Sequence, residues 1–230
     1  MADWLSRQKS LIGEKATAAL TNARVAVIGL GGVGGAALEG IARAGVGNIF
    51  VMDFDVFDET NLNRQILATR EALGKSKSEV AAARIMSINP EAKVVAYSEA
   101  FSEETKGLLI DFKPDYIIDA VDMVSAKLLI IETAKKNGFS AVSSMGTGNR
   151  TTAQGFVVGD IADTAGCGCP LARVMRRELK KRGICGVEVL FNLKEPKKTQ
   201  GERTPASISY VPPVAGYLLS EYVVQKLANI

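Results

Sequence analysis

Histidine is absent from all 230 residues. That one absence removes Ser-His-Asp and Cys-His catalysis, histidine-ligated zinc, and the histidine acid or base of many dehydrogenases. Cysteine is scarce, with only Cys167, Cys169 and Cys185. An odd count builds no disulfide framework and suits a reducing compartment. Without a Cys-x-x-Cys pair the three cannot supply a four-ligand zinc site. Cys185 follows the basic stretch Lys180–Arg182, which favours a thiolate, but buried or loop cysteines without a general base are usually inert, so a catalytic cysteine is not expected. No apolar run reaches the roughly 18 residues of a membrane span. The opening MADWLSRQKS lacks a signal-peptide apolar stretch. These absences predict a cytoplasmic protein with no membrane partner.

What is present suits one α/β domain over 1–230. Hydrophobic residues make up 47% of the chain, enough for one substantial core. Residues 1–22 read as a helical lead-in, with Leu11, Ile12, Ala16, Ala19 and Leu20 on a helical period. Apolar strands at 24–28, 48–52, 115–120 and 140–144 alternate with helical stretches, and a short alternating strand is expected at 93–98. That order predicts a nucleotide-binding core over 23–148 with a mostly parallel sheet, helices on both faces, and ligands beyond the strands' carboxyl ends. Strands at 154–158 and 187–192, a helix at 170–182 and a closing helix at 214–227 make a mixed extension over 149–230, expected on the substrate side. The polar loop from Glu195 to Thr204 is expected to be disordered. Charge is uneven. Between Arg173 and Arg203 ten cations meet four glutamates, giving +6 in a chain of +3.

Arg24–Arg64 carries the most chemistry. Arg24–Ile28 is a run of β-formers, Gly29-Leu-Gly31-Gly32-Val-Gly34 is a turn, and Gly35–Ala44 has helical spacing. Glycines let the backbone approach a ligand, and the following helix end offers free N–H groups to phosphates. Asp53 closes the next strand, where a carboxylate can accept from a ribose. The glycine pattern alone fits nicotinamide enzymes equally well. Downstream come Asp53-Phe-Asp55, Asn61-Leu-Asn63-Arg64-Gln65 and Gly74-Lys-Ser-Lys77. A nicotinamide enzyme leaves Arg64 and Lys77 without a role.

This series resembles the ThiF/MoeB/HesA superfamily, the Rossmann-like adenylating domain shared with ubiquitin-activating enzymes, from Leu11 onward. The resemblance implies an ATP and Mg2+ site. Asp53 would hold the ribose, Asn61, Arg64 and Lys77 the phosphates, and Asp122 the metal, with Arg64, Lys77 and Asp122 as the catalytic set. Related homodimers bring an N-terminal arginine to the neighbour's nucleotide, and Arg7 is the nearest match.

The second half resembles the branch of tRNA threonylcarbamoyladenosine dehydratases. The matching stretches are Asp119-Ala-Val-Asp122 with Lys127, Ser144-Met-Gly146-Thr-Gly148-Asn149, Pro170-Leu-Ala-Arg173-Val-Met-Arg176-Arg177, and Tyr210-Val-Pro-Pro-Val-Ala-Gly216. The chain departs from that branch at Thr151–Gln154 and at Gly166-Cys-Gly-Cys169, which leaves open a monovalent-cation site near Gly146–Asn149. The branch implies a tRNA partner. At about 100° per residue, Arg173, Arg176, Arg177, Lys180 and Lys181 share one arc of the 170–182 helix, suited to RNA phosphates. The alternative is an activator of a small ubiquitin-like sulfur-carrier protein, which uses the same adenylating residues.

Overall fold

The computed structural model describes residues 3–197 and 205–230. Its chain order is α1 (Ser6–Asn22), β1 (Arg24–Ile28), α2 (Gly32–Arg43), β2 (Asn48–Met52), α3 (Lys77–Ile88), β3 (Lys93–Tyr97), α4 (Lys106–Phe112) and β4 (Tyr116–Asp119). It continues with α5 (Val124–Asn137), β5 (Ser140–Ser144), β6 (Phe156–Asp160), α6 (Pro170–Lys181), β7 (Glu188–Asn192) and α7 (Val211–Ala228). The strands form one sheet in the order β3-β2-β1-β4-β5-β7-β6. Every pairing is parallel except that of β6 with β7.

Strand alternation separates two apolar layers. Val25, Val27, Ile49 and Val51 face a core completed by Leu38 and Ile41 of α2 and by Ala215, Leu219 and Val223 of α7. Ala26, Ile28, Phe50 and Met52 face Leu109 of α4 and Ile130 and Ala134 of α5. Helices therefore cover both faces, as a parallel sheet requires. The α2–α7 contact is close because glycine permits it: a Cβ on Gly216 would lie 2.2 Å from the Val33 carbonyl oxygen, and one on Gly40 2.2 Å from Ser220 Oγ.

Three departures from the sequence reading have physical causes. The first helix is kinked at Gly13 (φ 87°), so the apolar positions do not form one stripe. Leu11 is 85% exposed, while Ala16 and Leu20 enter the main core. The expected lead-in is thus partly core. The last helix begins at Val211 rather than Val214 because Pro212 and Pro213 fall in its first turn, where a missing N–H costs nothing. The strand expected at 154–158 runs two residues later, where Phe156–Asp160 finds register against β7. Of the loop expected to be disordered, 198–204 lies outside the described residues.

Candidate active site

Beyond the carboxyl ends of β1, β2, β4 and β5 lies a cavity of about 1210 Å³. Gly29, Gly31, Gly32, Asp53, Asn61, Arg64, Lys77, Asp122 and Arg173 line it. Gly34 lies behind the wall, and Arg7 is exposed near the start of α1 and does not line this chain's cavity.

The glycines divide the work. Gly29 has φ 87°, and a Cβ there would meet the Ala120 carbonyl carbon at 2.7 Å. A Cβ on Gly34 would lie 1.7 Å from the Gly29 carbonyl oxygen. These two let α2 start directly against the ends of β1 and β4. Gly31 differs, because the nearest atom to a Cβ there is Gln65 Nε2 at 3.9 Å. It caps α2 with bare backbone toward the cavity, and the dipole of that helix end favours anions.

Asp53 is 9% exposed, and its Oδ2 accepts from Leu30 N at 2.6 Å and its Oδ1 from Asp55 N at 2.8 Å. Burial pushes its pKa up, against those two N–H groups and the charge of Lys77. Each oxygen keeps a further lone pair for a ligand hydroxyl. Lys77, 5% exposed, donates from Nζ to Asp55 Oδ2 at 2.8 Å, a partner to which the sequence reading gave no role. Arg64 Nη1 donates to the Thr60 carbonyl at 2.7 Å and to Asn63 Oδ1 at 2.9 Å, which aims the side chain along the cavity edge.

Asn61 has a local duty. Its Oδ1 accepts from Asp58 N at 3.3 Å and its Nδ2 donates to Asp58 Oδ1 at 3.4 Å, closing the cap of a 3-10 turn. Gln65 Oε1 is buried without a hydrogen-bond partner. An orphaned acceptor at the cavity wall beside Gly31 suits a ligand donor. Asp122 is exposed at the rim on the β4–α5 turn. Behind it, wholly buried Lys127 pairs with Asp119 Oδ2 at 3.0 Å and donates to Ser143 Oγ at 3.0 Å. Among the described residues no three His, Cys, Asp or Glu side chains gather around a metal position. A magnesium ion at Asp122 would take its other ligands from phosphates and water, the usual mode for that ion.

The stretch after β5 is clamped. Asn149, in left-handed conformation (φ 59°), donates its N–H to the Ala206 carbonyl and accepts from Ala206 N on Oδ1, both at 2.7 Å. Its carbonyl accepts from Lys197 N at 2.7 Å. The segment considered for a monovalent cation thus spends these groups on its neighbours.

On α6 the expected row of five cations is incomplete. Arg176 turns inward and donates to the carbonyl and Oγ1 of Thr164 at 2.8 and 2.5 Å, and Arg177 and Lys181 share Glu178 Oε1 at 3.1 and 3.2 Å. Helical angle alone does not register the 3-10 turn at Ile161–Thr164 that captures Arg176. Arg173 and Lys180 are exposed, and Arg173 also reaches the cavity rim. Sequence reasoning missed Arg150, which lines the cavity at only 6% exposure. A lone arginine after a loop carries no spacing signal.

Comparison with known proteins follows the same lines. The tRNA threonylcarbamoyladenosine dehydratase of Bacillus subtilis is 36% identical over 244 residues, covering 99% of this chain and 95% of the relative. A crystal structure of E. coli tRNA N6-threonylcarbamoyladenosine dehydratase in complex with AMP superposes with a TM-score of 0.90 at 31% identity, covering 97% of this chain and 93% of that one. The adenylyltransferase and sulfurtransferase UBA4 of Saccharomyces cerevisiae is 38% identical over 135 residues, but this spans 56% of this chain and 29% of that protein. The ThiF family pattern matches residues 5–230, and the chain belongs to the ThiF family.

Proposed function

We infer that this protein is an ATP-dependent tRNA threonylcarbamoyladenosine dehydratase. The observation that carries the reading is one shared cavity, in which bare backbone at the start of α2, Asp53, Arg64, Lys77 and Asp122 meet the loop after β5. A nucleotide fits this set. Gly31 leaves room for phosphates, Gln65 Oε1 awaits a donor, and Asp53 can take a ribose hydroxyl.

The acceptor's carboxylate oxygen attacks the α-phosphorus of ATP, and pyrophosphate leaves. The carbamoyl oxygen of the same group then attacks the acyl carbon, the bond to AMP breaks, and a ring closes as the adjacent nitrogen loses its proton. The carboxylate oxygen departs with AMP. Arg64 and Lys77 stabilise charge on the transferring phosphate, and Asn61 holds the Asn61–Arg64 turn that positions it. Asp122 would hold a magnesium ion, which when bound would supply Lewis-acid polarisation of the phosphates.

Exposed Arg173 at the rim leads outward to Lys180 on α6, a path for RNA phosphates, with Arg177 and Lys181 beside it. We also propose a cytoplasmic homodimer. Leu11 on α1 and Val214 and Tyr217 on α7 are exposed apolar residues that a second copy could cover, and Arg7 would reach nucleotide only in a second copy. A carrier-protein activator would share the adenylating residues of this site, but the match to UBA4 covers only 56% of this chain.

Truncating Arg64 or Lys77 to Ala tests the site, with the rate expected to fall more than ATP affinity. Asp122→Asn should make activity strongly dependent on magnesium concentration. Wild-type rates in all three variants would refute the assignment.

A further inference from the structure

The glycine loop accounts for one end of the cavity. At about 1210 Å³ the whole exceeds the roughly 300–1,000 Å³ of an ordinary small-ligand pocket, so a second group has room. Two features outside the glycine loop point to its charge. Arg150 is 6% exposed, its Nη1 donates to the Lys194 carbonyl, and its Nε has no hydrogen-bond partner. Among the described residues no carboxylate pairs with it. Burial pushes its pKa down, and the groups that act against this are the thiols of Cys169 and Cys167.

The second feature is the N-terminus of the 12-residue helix α6: Cys169 Sγ caps it by accepting from Ala172 N and Pro170 has no N–H, so the Leu171 N–H and the positive dipole end are what it offers a ligand. Gly168, Cys169, Pro170 and Leu171 line the same cavity. A Cβ on Gly146 would lie 3.0 Å from Cys169 Sγ, so the loop carrying Arg150 lies directly against that helix end. A buried charge without a partner is strongly destabilising, whereas a guanidinium and a helix N-terminus together suit an incoming anion.

We propose that Arg150 and the N-terminus of α6 form a second anion subsite, which receives the acceptor's carboxylate while the N-terminus of α2 takes the nucleotide phosphates. This rests on the adenylation reading above. A carboxylate is favoured over an RNA phosphate because it must enter the cavity to react, whereas backbone phosphates can be met outside by exposed Arg173 and Lys180. Once adenylated, the carboxyl group is a mixed anhydride and no longer carries the carboxylate charge. Arg150 therefore acts on capture of the acceptor more than on ring closure.

The test uses the full-length protein, Arg150→Met and Arg150→Lys, with N6-threonylcarbamoyladenosine and its methyl ester as probes. Wild type should bind the free acid roughly 10- to 100-fold tighter than the ester. Arg150→Met should lose that preference and raise the acceptor KM, with ATP binding and kcat little changed, while Arg150→Lys keeps part of it. The melting temperature of Arg150→Met should hold or rise, because an apolar side chain replaces a buried cation. Retained preference for the acid in Arg150→Met would overturn the subsite. A lower melting temperature with unchanged acceptor KM would reduce Arg150 to a pin on Lys194. Weaker tRNA binding with the acid preference intact would give the subsite to an RNA phosphate and overturn the carboxylate assignment. If wild type ignores both acid and tRNA while ATP still stabilises it, the dehydratase reading fails and this inference fails with it.

Discussion

Gly31→Ala and Gly34→Ala should separate ligand binding from folding within one loop. A Cβ on Gly34 falls 1.7 Å from the Gly29 carbonyl oxygen and 2.8 Å from its carbon, both backbone atoms. Relief requires α2 to move away from the sheet. Ordinary overpacking costs about 1–3 kcal/mol, and rigid backbone at this range puts Gly34→Ala at or above about 3 kcal/mol. At roughly 2–4 °C per kcal/mol for a chain of this size, its melting temperature should fall by about 6–12 °C or more. A Cβ on Gly31 finds nothing nearer than 3.9 Å and sits on a negative φ of −71°. That variant should stay within about 1 kcal/mol of wild type. On the proposed nucleotide reading its methyl group would take the space of a phosphate. ATP at 100 times its Kd stabilises the wild type by about 2.7 kcal/mol, and thermal shift should show that gain largely lost in Gly31→Ala. An undiminished ATP shift in Gly31→Ala, or a Gly34→Ala variant as stable as wild type, would refute the reasoning.

Other consequences follow from buried charge and from the basic helix. Glu39, 3% exposed, binds Arg84 through both oxygens at 2.8 Å and Arg43 at 2.7 Å. Burial alone would raise its pKa, but the two guanidinium groups outweigh that and hold it below the ordinary 4.5. Its stabilisation is present above pH 4.5 and lost as pH falls through the lower folded value. Arg84 and Arg43 are about half exposed and regain water, so Glu39→Gln should cost about 1–3 kcal/mol in neutral urea unfolding, with the two stability curves converging in acid; parallel curves would contradict this. Lys127→Met should destabilise by about 3–5 kcal/mol by stranding Asp119, and Lys127→Met with Asp119→Asn should recover much of the loss; an equally unstable double variant would show that the ion pair is not the cause. Replacing Arg173, Arg177 and Lys180 by Gln should weaken tRNA binding and lower the slope of log affinity against log salt by roughly 0.7 per lost contact. An unchanged slope would remove α6 from the RNA surface.

The sheet was legible where short apolar runs are bounded by turn residues. Arg24–Ile28, Asn48–Met52 and Ser140–Ser144 are read to the residue. The glycine turn, Asp53 and Asp122 could be placed at strand ends from the alternation alone, because parallel strands put their carboxyl ends together. What stayed hidden depends on contacts between distant segments. Arg176 faces inward because Thr164 lies beside α6, and no helical arc shows that. Asn61 lines the cavity and also uses its amide to cap its own turn, a second contact that no motif shows. Arg150 is buried by the Lys194 backbone 44 residues away, and Leu11 is exposed because Gly13 breaks a period that counts as continuous on paper.

The measurement that tests the central claim most directly follows the nucleoside itself. The purified protein is incubated with ATP, magnesium and tRNA carrying N6-threonylcarbamoyladenosine, and the digested nucleosides are analysed by mass spectrometry beside AMP and pyrophosphate. The account predicts loss of one water from the modified nucleoside, with one AMP and one pyrophosphate formed for each ring closed, and no conversion in Arg64→Ala. An unchanged nucleoside, with pyrophosphate released only when a small carrier protein with a free C-terminus is supplied, would contradict it.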